Sequence, residues 1–375
     1  MTIFERMSRL AQEKGAINLG QGFPDLPEPL ELIEAASRAL RQKSNQYPPM
    51  RGLPTLRSAI ASYYARDQHI DLGDDEIVVT SGATEALAAS FLALVQPGDE
   101  VILVQPLYDA YRPLVERAGG VARFVDLEPP GWTLSIAALE AAISPRTCLI
   151  VLNTPNNPTG TILDRVTLEA VGALCEHHDL FLLCDEVWEA MLFDGAQHVS
   201  PMQIDALRHR TVKIGSAGKI FSLTGWKVGW ACAAPPLAAA IAASHQFLTF
   251  TTAPSLQWAV AEGLQLPAQW HARHRARYAA ARHRMTTGLR DAGYHVLPSS
   301  GTWFILIDLA ASGLADDDMM VAERLIEEAG IASIPMSAFY AARAEKGYLR
   351  LCFAKGDDML DSAIDRLAAF RRTLL

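Results

Sequence analysis

From about residue 76 the chain alternates short apolar runs with longer stretches whose apolar positions recur at helical spacing. EIVVT is followed by ATEALAASFLALV, EVILVQP by a helical pattern through Leu114, and CLIVL by one from about Leu163 to His178; FLLCDEV and TVKIG come next. Runs that are apolar without alternation suit strands buried on both faces, and the helical stretches between them supply the crossovers of a parallel sheet. The rhythm predicts an α/β domain whose mostly parallel sheet is covered by helices on both sides. Ligands in such sheets bind beyond the C-terminal ends of the strands, so the residues just past each run are the first candidates for chemistry.

After about residue 270 the rhythm changes. The long helix HARHRARYAAARHRMTTGLRDAG is followed by HVLPSSGTWFILIDL, a helix near Asp318 to Ala329, the strand YLRLCFA and a final helix, which together predict a smaller α+β domain. The first thirty residues, with LGQGFPDLPEP, read as an extended arm packing beside that domain. The expected division is a large domain over 31–272 and a small one from 1–30 plus 273–375, and 375 residues are ample for both.

Composition narrows the function classes. Half the residues are hydrophobic and a fifth charged, as in ordinary globular chains, and a net charge of −9 offers no broad positive field for nucleic acid or an anionic membrane. Any anion site must be local. His271, His274 and His283 on the basic helix read as a solvated face. The five cysteines form no C-x-x-C pair, and most lie in apolar runs, so buried thiols in a reducing cytoplasm are expected, with no metal. The amphipathic start lacks a signal-type apolar segment and no run of eighteen apolar residues occurs, so neither secretion nor membrane spanning is expected.

The strand ends carry the candidate chemistry. Lys219 and Lys227 lie in GSAGKIFSLTGWKVGW, directly after TVKIG. An amine in apolar surroundings sheds its proton readily, as a Schiff-base nucleophile must, and Ser216, Ala217 and Gly218 allow close approach of a cofactor. Either lysine could equally reach solvent, and environment alone does not choose between them. LFLLCDEV delivers Asp185 and Glu186 at a strand end, where a carboxylate can keep a pyridinium nitrogen protonated; an acidic loop, a helix cap and a metal ligand are the alternatives. In TSGATEAL the amides of Gly82, Ala83 and Thr84 open a helix and can hold a phosphate, although many α/β turns look alike. It is neither a Walker loop nor a complete G-x-G-x-x-G. NTPNNPTG fixes Asn156 and Asn157 in a rigid turn, and Arg350 stands within the apolar YLRLCFA, where a guanidinium needs an anion: a substrate carboxylate or an internal ion pair.

Taken in order, LGQGFPD, NQYPPMRG, TSGATEAL, QPLYDAY, NTPNNPTG, CDEVW, GSAGKIFSLTGWKVGW, HQFLTFTT, SGTWF and YLRLCFAK resemble the fold-type I pyridoxal 5′-phosphate (PLP) aminotransferases. Among these the chain is most similar to the kynurenine aminotransferase, glutamine transaminase K and bacterial methionine aminotransferase branch. The resemblance spans nearly the whole chain. It implies the PLP-dependent transferase fold and assigns Lys219 to the Schiff base and catalytic proton transfer, and Lys227, Ser216 and the Gly82, Ala83, Thr84 turn to the cofactor's phosphate. Tyr108 is implied to stack on the ring, Asp185 to pair with its nitrogen and Asn157 to bond its phenolic oxygen. Arg350, with Gly22 and Asn157, is implied to bind the substrate carboxylate.

Tyr47 matches a tyrosine that reaches the phosphate of the neighbouring subunit, which implies a homodimer with shared active sites. One position departs from the pattern: Trp188 stands where a tyrosine is usual, and its single N–H is expected to donate to the cofactor in place of the hydroxyl. The implied reaction is ping-pong transfer between an L-amino acid (methionine favoured, glutamine or aromatic residues next) and a 2-oxo acid. Phe23, Phe250, Trp303 and Phe339 are candidates for the side-chain pocket. A cysteine-conjugate β-lyase and a kynurenine–oxoglutarate type transaminase are alternatives on the same scaffold. A non-catalytic regulator would need a DNA-binding addition or a lost lysine, and the sequence has neither.

Overall fold

The computed structural model describes residues 2–314, 317–342 and 347–373. Thirteen strands run through it. In chain order they are β1 (Ile17–Asn18), β2 (Ile77–Thr80), β3 (Glu100–Gln105), β4 (Val121–Asp126), β5 (Thr147–Asn153), β6 (Phe181–Asp185), β7 (Thr211–Ser216) and β8 (Gly229–Cys232). Then follow β9 (His295–Val296), β10 (Phe304–Asp308), β11 (Ile331–Ala332), β12 (Ile334–Pro335) and β13 (Tyr348–Cys352).

Seven strands form the large sheet in the order β2-β8-β7-β6-β5-β3-β4. All pairings are parallel except those of β8, which runs antiparallel to both β2 and β7. The apolar runs of the sequence fall on these strands, and β2, β3 and β7 are buried at every position. The two strands that the apolar-run pattern passes over are the exceptions to it. VARFVD is the edge strand β4, with only one of six residues fully buried. GWAC is the short antiparallel β8, and its Gly229 lies so near the next turn that a Cβ there would stand 2.5 Å from the amide nitrogen of Ala83.

The smaller sheet is antiparallel, β12-β13-β10-β9, and packs with the helices Ala268–Asp291 and Asp357–Arg372. The N-terminal segment does lie beside it, but not as the extended arm expected. Residues Ile3–Lys14 are helical, capped by Thr2, whose side chain accepts from the Glu5 amide at 3.2 Å, and stopped by Gly15 at φ 62°. Met7 and Ala11 form its buried face, an i, i+4 pair too sparse to stand out among seven polar residues. The chain then runs extended: β1 pairs with β11 through Ile17 and Ile331, the Cys352 amide donates to Leu19 O at 2.7 Å, and the Asp25 amide to Ala354 O at 2.8 Å.

The basic helix also differs from the solvated reading. Trp270, His274, Tyr278, Ala281, Met285 and Leu289 make a buried stripe at helical spacing, so only His283 of the three histidines is exposed. His274 stacks on Trp270 at 5.1 Å and bonds Ser222 Oγ at 2.9 Å; burial lowers its basicity to a pKa of about 4.

Candidate active site

The C-terminal ends of β5, β6 and β7, the turn after β2 and the middle of β13 converge on one cavity of about 400 Å³. At its floor is Asp185, the last residue of β6, buried beneath the strand end. Tyr111 Oη donates to Asp185 Oδ2 at 2.6 Å and the Val187 amide to Oδ1 at 3.3 Å. Burial pushes the carboxyl up from its ordinary range, while these hydrogen bonds and the charge of Lys219 pull against it.

Glu186 turns to the other side of the strand. There Lys213 Nζ bonds Glu186 at 2.5 Å, Glu189 at 2.6 Å and Gln68 at 3.1 Å, and His198 Nε2 lies 2.6 Å from Glu186. Burial opposes the lysine's charge, but the two carboxylates outweigh it and hold the amine well above its usual pKa. A histidine does neighbour the acidic pair, which the sequence did not suggest. Even so, Lys213 is the cation of this cluster, and it locks β6 to β7 behind the cavity.

Lys219 leaves β7 on the single turn Ala217–Ile220. Its Nζ lies 4.7 Å from the ring centre of Trp188 and 5.0 Å from that of Trp303, the two indoles meeting edge to face at 4.8 Å. Trp188 thus offers Lys219 a ring face. Burial pulls the amine down to a pKa of about 8; Cys352 and Asp185 act to raise it, Arg350 and Lys227 to lower it further. An amine in that range is partly unprotonated at neutral pH and can act as nucleophile and proton carrier.

Lys227 has a different setting. It sits at φ 52° after a 3₁₀ turn, and its Cε and Nζ lie 3.1 and 3.2 Å from where a Cβ on Gly82 would be. Gly82, at φ 78°, opens the helix Gly82–Leu94, whose N-terminus has no side-chain cap. Thr84 and Ser216 complete this end of the cavity. Free helix amides, a lysine and two hydroxyls form an anion cradle. Glu85 braces the turn from behind: it accepts from the Ser81 amide at 2.5 Å, Thr249 Oγ1 at 2.6 Å and His245 Nδ1 at 2.7 Å.

Arg350 lies at the opposite end, only 2% exposed. Its Nη1 donates to Asn157 Oδ1 at 2.7 Å and its Nη2 to Gly20 O at 2.6 Å, while Nε is buried without a partner. Phe304 faces the guanidinium at 3.8 Å. Desolvation lowers its pKa to about 9, which leaves it cationic at neutral pH. No described carboxylate pairs with it, so the internal ion pair that the sequence allowed is not formed. Asn157 is itself held by its amide, which donates to Asn153 Oδ1 at 2.8 Å, and Asn153 Nδ2 donates to Asp185 O at 2.8 Å.

Gly22, Gly82, Ala83, Thr84, Tyr108, Asn157, Asp185, Trp188, Ser216, Lys219, Lys227 and Arg350 all line this cavity. Tyr47 does not; it is 84% exposed and packs edge-on against Phe250 at 5.6 Å. Of the four aromatic candidates, Phe23 and Phe250 are exposed, and Trp303 and Phe339 are core residues behind the wall. The cavity is instead lined by Phe4 and Phe304. Sequence reasoning also missed Tyr111, Asn153 and Gly20. Tyr111 and Gly20 stand inside quoted motifs, QPLYDAY and LGQGFPD, but their partners are distant in the chain; Phe4 belongs to the helix that was read as an arm.

The family model for aminotransferase class I and II matches residues 14–367, and the chain belongs to that family. It is a PLP-dependent enzyme that exchanges amino groups between amino acids and 2-oxo acids. It is 41% identical to the probable N-succinyldiaminopimelate aminotransferase DapC of Mycobacterium tuberculosis, over 98% of this chain and 95% of that protein. The solved structure of the Mycobacterium tuberculosis N-succinyldiaminopimelate aminotransferase superposes with a TM-score of 0.95 at 41% identity, covering 98% of this chain and 97% of that one. Identity to the methionine aminotransferase of Escherichia coli is 39%, over 98% and 95% of the two chains; to human kynurenine–oxoglutarate transaminase 1 it is 34%, over 97% and 94%.

The cavity fits the cofactor of this family. A buried amine titrating near 8 and a carboxylate at the floor stand within one enclosure, with an uncapped helix turn beside a lysine at one end and an unpaired guanidinium nitrogen at the other.

Proposed function

We propose that this enzyme takes the amino group from a neutral L-amino acid, methionine first, with glutamine and aromatic amino acids next, and passes it to a 2-oxo acid in a ping-pong cycle. The observation that carries the reading is the wall beside Arg350. Phe4, Phe304 and Trp188 make that part of the cavity apolar, suited to a thioether or an aromatic ring.

In this reading PLP, when bound, supplies an electron sink for the carbanion left at the substrate's α-carbon. Lys219 would hold the cofactor covalently, and its Nζ, once displaced by the substrate amine, would take the α-proton and deliver it across the intervening nitrogen, two atoms away. Its lowered pKa suits both steps. Asp185, steadied by Tyr111, keeps the ring nitrogen protonated. Lys227, Ser216, Thr84 and the amides of Gly82 and Ala83 hold the phosphate, and Tyr108 flanks the ring. Asn157 has its Oδ1 committed to Arg350 and its Nδ2 free to donate to the phenolic oxygen. Arg350, beside Gly22, grips the substrate carboxylate, and Trp188 backs Lys219 with its ring face.

Tyr47 and Phe247, 84% and 86% exposed, support a homodimer in which Tyr47 completes the partner's phosphate site; a fully active monomer on sedimentation would contradict it. The division into 31–272 and 1–30 plus 273–375 is supported by the pairing of β1 with β11. Five unpaired cysteines support a cytoplasmic setting, and no helix of the described residues is long and apolar enough to cross a membrane.

Identity to DapC favours a second reading, an N-succinylated donor. Mixing the cofactor-loaded enzyme with single amino acids and following loss of the lysine-linked absorbance tests the choice. Methionine is expected to react fastest. Faster reaction with an N-succinylated diamino acid would overturn the proposal, and release of pyruvate and ammonia from a cysteine conjugate without an acceptor would mark a β-lyase.

A further inference from the structure

Five charged side chains line the cavity: Asp109, Asp185, Lys219, Lys227 and Arg350. Four have partners or tasks in the reaction just described. Asp109 has none. It follows Tyr108 in the turn after β3, is half-buried, and forms no ion pair with any described residue. Arg350 is nevertheless near enough to influence it: burial pushes the Asp109 carboxyl up, while a hydrogen bond from its own backbone amide and, after that, the guanidinium pull it down. A carboxylate withdrawn from water without a paired cation works against folding, so its place in the cavity needs a reason other than stability.

The cations of the cavity are all engaged. Lys227 faces the Gly82 turn, Lys219 is the anchor, and Arg350 takes the carboxylate common to every amino acid. A second carboxylate, on the substrate's side chain, has no unengaged cation among the described lining residues, and Asp109, close enough to Arg350 to feel its charge, adds a like charge to the same cavity. A neutral side chain has the rings of Phe4 and Phe304 and the amide of Gln21 to pack against.

We infer that Asp109 is a specificity-determining residue, excluding amino acids with a side-chain carboxylate and admitting their neutral counterparts of the same shape. This rests on the aminotransferase reading with Arg350 as the carboxylate clamp. It makes acidic and N-succinylated donors poor substrates by charge, whatever their length.

Glutamine and glutamate are the probes, because they differ in charge and hardly in shape. With the holoenzyme, kcat/KM for glutamine should exceed that for glutamate by roughly a hundredfold, the effect of setting like charges side by side in a cavity. Asp109→Asn should reduce that ratio by about tenfold or more. Calorimetric binding of glutaramate and glutarate, which lack the amino group and cannot react, should show the same order and the same loss of discrimination. A wild-type ratio within about threefold, or a ratio unchanged in an Asp109→Asn protein that still takes up cofactor, overturns the inference. If the variant does not fold, the wild-type ratio and the two binding constants decide. Failure of the underlying reading has a separate signature: neither amino acid is consumed, and both proposals fall together.

Discussion

Lys219 and Lys227 stand eight residues apart in one small-residue stretch, and nothing in their local sequence distinguishes them. Their environments do. Lys219 is enclosed by Trp188 and Trp303, brought from 31 residues before and 84 after, whereas Lys227 lies against Gly82 in a left-handed turn. Long-range packing sets which amine loses its proton, and packing of that kind has no local sequence signal; the motif order was needed to pick Lys219. A consequence can be measured on cofactor-stripped protein. The folded amine titrates near 8 against an ordinary 10.5, so between these pH values the unfolded chain binds a proton that the folded one does not. Stability of the wild type should therefore rise with pH across this window, the full cost of the buried charge being present below it. Lys219→Met should be more stable than wild type at pH 7 by on the order of 3 kcal/mol, and its advantage should vanish by about pH 10.5 in denaturant titrations at several pH values. An advantage that does not change with pH would show that the amine's charge is not the source.

At the scale of elements, the strands that carry the chemistry were the legible ones. β2, β5, β6 and β7 are almost wholly buried, so they appear as mostly apolar runs, and the site lies at the last residues of β5, β6 and β7 and in the turn just past β2. β4, exposed at the edge, and β8, only four residues long, lack that signal, and the N-terminal helix shows only two buried positions. The turn after β2 was visible as an anion site but not as a necessity. Geometry makes it one: Gly82 has φ 78°, and an added Cβ would stand only 3.1 and 3.2 Å from Lys227 Cε and Nζ. Gly82→Ala should weaken PLP binding by about tenfold or more by moving the Lys227 amine, besides costing about 1 kcal/mol or more for the backbone. Gly98 is the control, at φ 92° with nothing within 4 Å of an added Cβ. Gly98→Ala should show the backbone cost alone, with cofactor affinity by fluorescence titration unchanged. Equal affinities in the two variants would remove Gly82 from the phosphate cradle.

Across the whole molecule, the two sheets enclose the cavity between them. The large sheet contributes Asp185, Asn153 and Ser216 at strand ends, and β13 of the small sheet contributes Arg350. The N-terminal helix closes the side with Phe4. Binding of the substrate carboxylate at β13 and of the cofactor at β6 and β7 therefore ties the two sheets together. Class, cofactor and most lining residues were legible because they depend on strand ends and turns. The apolar wall was not, because Phe4 and Phe304 reach it only through packing of the N-terminal helix beside the small sheet and the pairing of β10 with β13. All of this turns on Lys219 being the cofactor's covalent anchor. Reduction of the loaded enzyme with borohydride, followed by proteolysis and mass spectrometry, tests it directly. The account predicts the mass of reduced PLP on the peptide containing Lys219, and its disappearance when methionine is added before the reductant. Label on the Lys227 peptide, or label on Lys219 that persists in excess methionine, would contradict it.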